Sequence, residues 1–279
     1  MRNILDKIIL EKKKYINQLK EIIDIKSLEQ SEYFEIETYS LKNKIIKEDS
    51  FGIISEFKRK SPSKPNINLN ADAVTITKGY QNAKSSGISI LTDELFFGGN
   101  NKDFVSSRKE LSIPMLRKDF IIDEFQLIES KSIGADVILL MASCLNNKEI
   151  LKFSKLAKSL SLEVLLEVHS EEELNYSLNP YVDIVGVNNR NLNNFTTDIN
   201  NSIKLSSFIP KDFCKISESG IFNKEDIIKL KSYGFNGFLI GENFMKTNDP
   251  SNACLNFMKS PVDSSLKMDS RLASAKTIR

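Results

Sequence analysis
The chain has 279 residues, 41% of them apolar and 27% charged, with 11 glycines, 7 prolines and no tryptophan, which excludes a disordered, collagenous or disulfide-scaffold protein. Thirty-nine basic against 37 acidic side chains leave a net charge of +2, and the signs alternate along the chain, so no basic face for nucleic acid is expected. The longest strongly apolar run, Val137 to Ala142, is far shorter than the ~20 residues that span a bilayer, and Asp6 and Glu11 interrupt any signal-peptide core; a cytoplasmic protein without a membrane partner is expected.

In chain order, residues 1–47 carry Ile4, Leu5, Ile8, Ile9, Ile16, Leu19, Ile22 and Ile23 at helical intervals, predicting one or two amphipathic helices ahead of the main domain. They serve either as a plug that only stabilises or as a lid that touches substrate. Short β-branched or leucine-rich runs then recur at Gly52–Phe57, Ile88–Leu91, Pro114–Leu116, Val137–Leu140, Glu163–Val168, Ile184–Val187, Cys214–Ser217 and Gly237–Ile240. Most lack in/out alternation, as parallel strands buried on both faces do. Helical spacing fills the gaps between them, with Asp123, Ser170 and Asn223 as capping residues. Eight strand–helix units at ~20–35 residues each predict an α/β protein with a (β/α)8 TIM barrel over residues 48–260. An open doubly wound sheet would carry a GxGxxG fingerprint, which the sequence lacks. Residues 261–279 are polar and aperiodic, a tail expected to fray.

Cys144, Cys214 and Cys254 are odd in number and form no CxxC, so they read as buried thiols of a reducing compartment. His169 is the sole histidine, so an imidazole-based metal centre or a Ser-His-Asp triad would depend on that one residue. A surface or capping role is expected for it. Chemistry therefore falls to carboxylates and lysines.

Active sites of such barrels lie at the C-terminal ends of the strands, and nearly every run here ends in a polar residue. Glu56, Lys58 and Ser61 follow the first; Arg117, Lys118 and Asp119 the third; Glu167 the fifth; Asn188 and Arg190 the sixth; Glu218 and Ser219 the seventh. A charge at a strand end is ordinarily just the first solvated residue. Glu56 and Glu167 resist that explanation because apolar residues flank each of them, so each must point into the barrel mouth and find a cationic partner, Lys58 and Lys118 being nearest. Gly220 after strand seven, and Gly241 with Glu242 after strand eight, let backbone approach an anion at a helix start; the alternative is that both glycines only permit turns. Phe96 and Phe97 are core packing or a wall for a flat ligand.

Taken together these segments resemble the indole-3-glycerol phosphate synthase family. Glu56-Phe57-Lys58-Arg59-Lys60-Ser61-Pro62-Ser63, Leu91-Thr92-Asp93-Glu94 through Phe97-Gly98-Gly99, Leu116-Arg117-Lys118-Asp119-Phe120-Ile121, Leu166-Glu167-Val168-His169, Gly186-Val187-Asn188-Asn189-Arg190-Asn191-Leu192 and Ser217-Glu218-Ser219-Gly220-Ile221 are similar to six family motifs in order. Pro65 and Asn68 depart from the pattern, where Gly and Arg are usual. The resemblance implies closure of the indole ring of 1-(2-carboxyphenylamino)-1-deoxyribulose 5-phosphate, with loss of carbon dioxide and water, and neither metal nor organic cofactor. It implies catalytic roles for Glu56, Lys58, Lys118, Glu167, Asn188 and Ser219, and substrate contacts from Ser61, Phe97, Phe120, Arg190 and Glu218. Gly220, Gly241 and Glu242 would hold the phosphate. A barrel isomerase, a metal-dependent ribulose-phosphate epimerase and a non-catalytic phosphate-binding scaffold are the rivals.

Overall fold
The computed structural model describes residues 4–47, 51–191 and 194–259. The tail 261–279, the boundary residues 48–50 and 260, and Leu192 of the fifth motif fall outside the described residues. Eight strands, β1 (Ile53–Phe57), β2 (Gly87–Leu91), β3 (Met115–Lys118), β4 (Val137–Met141), β5 (Glu163–Val168), β6 (Ile184–Asn188), β7 (Cys214–Glu218) and β8 (Gly237–Ile240), alternate with helices. They pair in parallel in sequence order, and β8 closes onto β1. Apart from Glu163 and Asn188 at strand ends and Lys215 within β7, the strand residues are all buried, which is why the sequence shows continuous apolar runs.

The register sets which side chains meet inside. Glu56 lies opposite Ser89, and Ser89 opposite Leu116, so a level line around the barrel reaches Lys118 on β3 after advancing two residues. The same step leads from Lys118 to Glu167 and from Glu167 to Glu218, and then returns to Glu56. Side chains from alternate strands therefore stack in layers of four. Ile54, Leu116, Leu165 and Ile216 form the lowest of these, with Ser89, Leu139, Gly186 and Leu239 above. Next comes a charged layer of Glu56, Lys118, Glu167 and Glu218, and then Leu91, Met141, Asn188 and Gly241 at the mouth. A second apolar shell fills the space between strands and outer helices, with Phe57, Tyr80, Phe104, Phe238 and Phe244 among its largest members. The predicted caps Asp123, Ser170 and Asn223 each accept a backbone N–H at a helix start.

The N-terminal segment forms three helices where one or two were expected: α1 (Ile4–Ile22), α2 (Ile25–Glu29) and α3 (Leu41–Ile46). Asp24 and Ser40 each cap a fresh start, which divides the periodic stretch. The segment reaches both ends of the barrel. Leu41 and Ile45 of α3 press against Gly87 and Gly237 at the bottom, and the Glu163 carboxylate at the start of β5 accepts the backbone N–H groups of Leu41 and Lys42. Helix α1 crosses the mouth, where Ile4, Leu5 and Ile8 line the cavity. Lys12, 5% exposed, reaches down between Asp93 and Asp119, 2.7 Å from each. No described helix is long and apolar enough to cross a membrane.

Two local expectations are corrected. Strand three runs to Lys118, because alternation turns Arg117 outward onto Glu129, Ser130 and the Gln126 carbonyl of the following helix and Lys118 inward. Cys214 and Cys254 are buried, whereas Cys144 is partly exposed.

Candidate active site
A cavity of about 460 Å³ opens above the charged layer. All fourteen residues given a role by the resemblance, from Glu56 on β1 to Glu242 after β8, line it, whereas Arg117 and Phe96 do not. At its floor the Lys118 ammonium donates to Glu167 at 3.1 Å and also to Glu218. Lys58 donates to Glu56 at 2.6 Å, and the Asn188 side-chain amide donates to the other oxygen of Glu167 at 3.1 Å. Three carboxylates thus face two ammonium groups, Lys118 within a layer whose members are at most 8% exposed and Lys58 beside it.

That imbalance sets the protonation states. Burial pushes the Lys118 pKa down, but Glu218, Glu167 and Glu56 outweigh it, so the pKa is raised and the group stays charged. Burial pushes Glu167 up, and Lys118, His169 and the Asn188 hydrogen bond overcome this to leave it lowered. Glu218 goes the other way, to about 7: burial and the neighbouring carboxylates prevail over its one cationic partner, and its Oε1 has no hydrogen-bond donor. Gly186 makes room for that carboxylate, since a β-carbon there would sit 2.3 Å from Glu218 Oε1. Gly241 does the same for Glu56, at 2.5 Å.

Around the rim, Phe97 and Phe120 form an aromatic wall with centroids 5.9 Å apart. Arg190 donates to Ser63 at 3.3 Å and to Glu242 at 3.4 Å, and Lys64 also pairs with Glu242. Ser61 stands beside Ser63, 3.2 Å between hydroxyl oxygens. Ser219 and Gly220 both take left-handed backbone, φ 68° and 72°, an unusual conformation for serine that turns the chain sharply at the mouth. The short helix after β8 runs from Glu242 to Met245, with Gly241 as its N-cap.

Sequence reading missed several partners. Lys12, which ties α1 to the mouth, carries no motif of its own, and Asp93, although inside the second motif, shows its part only as the partner of Lys12. Gly186 lies inside a recognised motif, but only the register reveals that its missing side chain accommodates Glu218. His169 is neither a surface residue nor a cap: Ser170 is the cap, and the half-buried ring lies 3.8 Å from Glu167. The signal was available, because a histidine two positions beyond Glu167 shares its side of the strand.

A family model described as indole-3-glycerol phosphate synthase matches residues 5–257. The indole-3-glycerol phosphate synthase of Bacteroides thetaiotaomicron is 45% identical over 259 residues, covering 93% of this chain and 99% of the relative. That of Alkaliphilus metalliredigens is 40% identical over 246 residues, covering 88% and 94%. Among solved structures, the tryptophan synthase a2b2 complex of Pyrococcus furiosus superposes with a TM-score of 0.56 at 12% identity, covering 75% of this chain and 96% of the matched one. Tryptophan synthase subunit alpha of Legionella pneumophila gives 0.56 at 11%, covering 78% and 95%; these two likenesses concern the barrel fold alone. Matched by the family model over nearly its whole length and by relatives at 40–45% identity, the chain belongs to the indole-3-glycerol phosphate synthase family.

Proposed function
We propose that this protein is a carboxy-lyase of tryptophan biosynthesis that closes the indole ring of 1-(2-carboxyphenylamino)-1-deoxyribulose 5-phosphate, releasing carbon dioxide and water. The observation that carries the reading is the buried layer of Glu56, Lys118, Glu167 and Glu218 beneath an aromatic wall, with cations at the rim. Such a floor suits a reaction in which a ketone oxygen gains negative charge and a ring nitrogen gains positive charge.

Lys118 serves as the general acid at the ketone oxygen. Its fixed ammonium stabilises charge as the ring carbon attacks, in a site where substrate displaces water. Loss of carbon dioxide restores the aromatic ring, and dehydration then needs a proton removed from carbon and another delivered to the departing hydroxyl. Glu167, ionised and held by Lys118 and Asn188, acts as acid–base in that step. Glu56 stabilises the cationic intermediate, and Lys58 pairs with the substrate carboxylate or supplies a further proton. Ser61 lies toward that carboxylate, Phe97 and Phe120 take the aromatic ring, and Asn188, Arg190, Glu218 and Ser219 address the ribulose hydroxyls. Gly220, Gly241 and the backbone of Glu242 take the phosphate, with no metal or organic cofactor in the scheme.

The test is incubation of the purified protein with the carboxyphenylamino substrate while indole fluorescence is followed. A rise that depends on enzyme concentration is expected. No product at millimolar substrate, with the protein folded, defeats the reading.

A further inference from the structure
The scheme above leaves one imidazole unused. His169 follows β5 directly, with Nε2 3.8 Å from Glu167 Oε1 and Nδ1 3.4 Å from Glu173 Oε2. Both ring nitrogens are shielded from solvent and neither is hydrogen bonded. Glu173 belongs to the helix Glu171–Ser177, and with His169 it lines a second, open groove of about 1160 Å³ that adjoins the reaction cavity at Leu5, Asn188 and Arg190. Glu167 therefore has two sides: Oε2 meets Lys118 at the cavity floor, and Oε1 meets Asn188 and the imidazole behind it.

The chemistry gives that second side a task. In the proposed reaction the ketone oxygen takes two protons to leave as water, the carbon skeleton returns one, and the carboxylate departs as carbon dioxide carrying none. Each turnover thus consumes one proton, while bound substrate fills the water-accessible mouth. We propose, resting on the function assigned above, that His169 is a positioning residue that orients Glu167 and supplies it with protons from the groove by way of Glu173. The imidazolium gives its Nε2 proton to Glu167 Oε1 through one water or a small closure of the gap. The neutral ring keeps its Nδ1 proton; rotation turns the bare Nε2 toward Glu173, where it takes a proton from the groove, and the imidazolium so formed again presents an N–H to Glu167.

The titratable groups around the ring are Glu167 and Glu173 beside it, Glu218 on β7, and Cys144, Tyr176 and Asp198 on the groove wall. Burial pushes the imidazolium pKa down, but Glu173 and Glu167, with Glu218, outweigh it and hold it above the ordinary 6.5. The ring therefore keeps its proton to higher pH than a free imidazole does and loses it as pH rises further.

Because His169 is the sole histidine, its titration is readable by NMR in the whole protein, whatever the activity. The expected result is a pKa above 6.5 that falls by about one unit in Glu173→Gln. That substitution keeps an acceptor for the His169 backbone N–H, now bonded to Glu173 at 2.6 Å. His169→Gln should lower kcat about 10-fold near pH 8 with KM within about 2-fold, and added imidazole should restore it. A kcat–pH profile that neither substitution changes overturns the proposal, as does a histidine pKa indifferent to Glu173→Gln. If His169→Gln fails to fold, Glu173→Gln carries both readouts. Wild-type protein inactive on the substrate would defeat the function assigned above; active wild-type with unaffected variants would defeat only the role of His169.

Discussion
The lower and upper halves of the barrel interior are built from the same strands by opposite rules. Below, Ile54, Leu116, Leu165 and Ile216 fill space, and α3 seals the end with Leu41 and Ile45. Two residues further along those same four strands stand Glu56, Lys118, Glu167 and Glu218. Removing charges from water costs several kcal/mol per ion, and mutual attraction repays it only with good geometry and satisfied hydrogen bonds. The upper layer is not fully satisfied, as the lone Oε1 of Glu218 shows. The apolar half supplies the stability that lets the charged half stay poised for proton transfer.

This contrast can be broken from either side. The largest effect is expected for Lys118→Ala, which should lower kcat about 1000-fold, near 4 kcal/mol, with little change in substrate affinity. Steady-state kinetics with a separate binding measurement checks it, and lost affinity with preserved turnover would assign Lys118 to binding. In the lower half, Leu165→Ala should cost about 3 kcal/mol of stability in urea unfolding, while kcat per folded molecule stays within about 2-fold. A large loss of kcat at full folding would mean that the two halves are not separable. Glu167→Gln preserves shape and removes the proton acceptor, so turnover should fall roughly 100-fold; near-wild-type turnover would transfer the acid–base role to Glu56.

The smallest effect concerns the clamp at the mouth. Burial pushes Asp119 up, but Lys12 and Arg117 overcome this and hold its pKa at about 2, below the ordinary 3.8. A depressed folded-state pKa gives stability that is present above about pH 4 and lost as pH falls toward 2, roughly 2 kcal/mol in all. Urea titrations at about pH 5 and pH 2 should therefore show wild-type losing that much more than Asp119→Asn. Equal losses would show that the clamp contributes nothing through its charge.

The barrel was legible because parallel strands buried on both faces write themselves as apolar runs, and because caps such as Asp123 act locally. The end of β3 was not legible. Arg117 and Lys118 read as the first solvated residues after Leu116, whereas one is neutralised by Glu129 on the next helix and the other by Glu167, two strands away, and Glu218, across the barrel. Motif resemblance brought Lys118, Glu167 and Glu218 into one site, but their unequal protonation depends on which carboxylate has a second donor. Asn188 supplies it to Glu167 and nothing supplies it to Glu218 Oε1. Lys12 was invisible for a related reason: on a helix with Lys13 and Lys14 beside it, only the tertiary fold distinguishes the lysine that lies over Asp93 and Asp119.

The seat of α3 also bears on how the chain reaches this state. Ile45 packs against Gly237, on the last strand, so a segment that leaves the ribosome early has no complete binding place until roughly 190 residues later. At ~5–20 residues per second that is a wait on the order of 10–40 s, during which the apolar face of α3 must stay out of wrong associations. Its flanking lysines, Lys42, Lys44 and Lys47, keep the waiting segment charged, and docking of α3 marks the closing of the barrel.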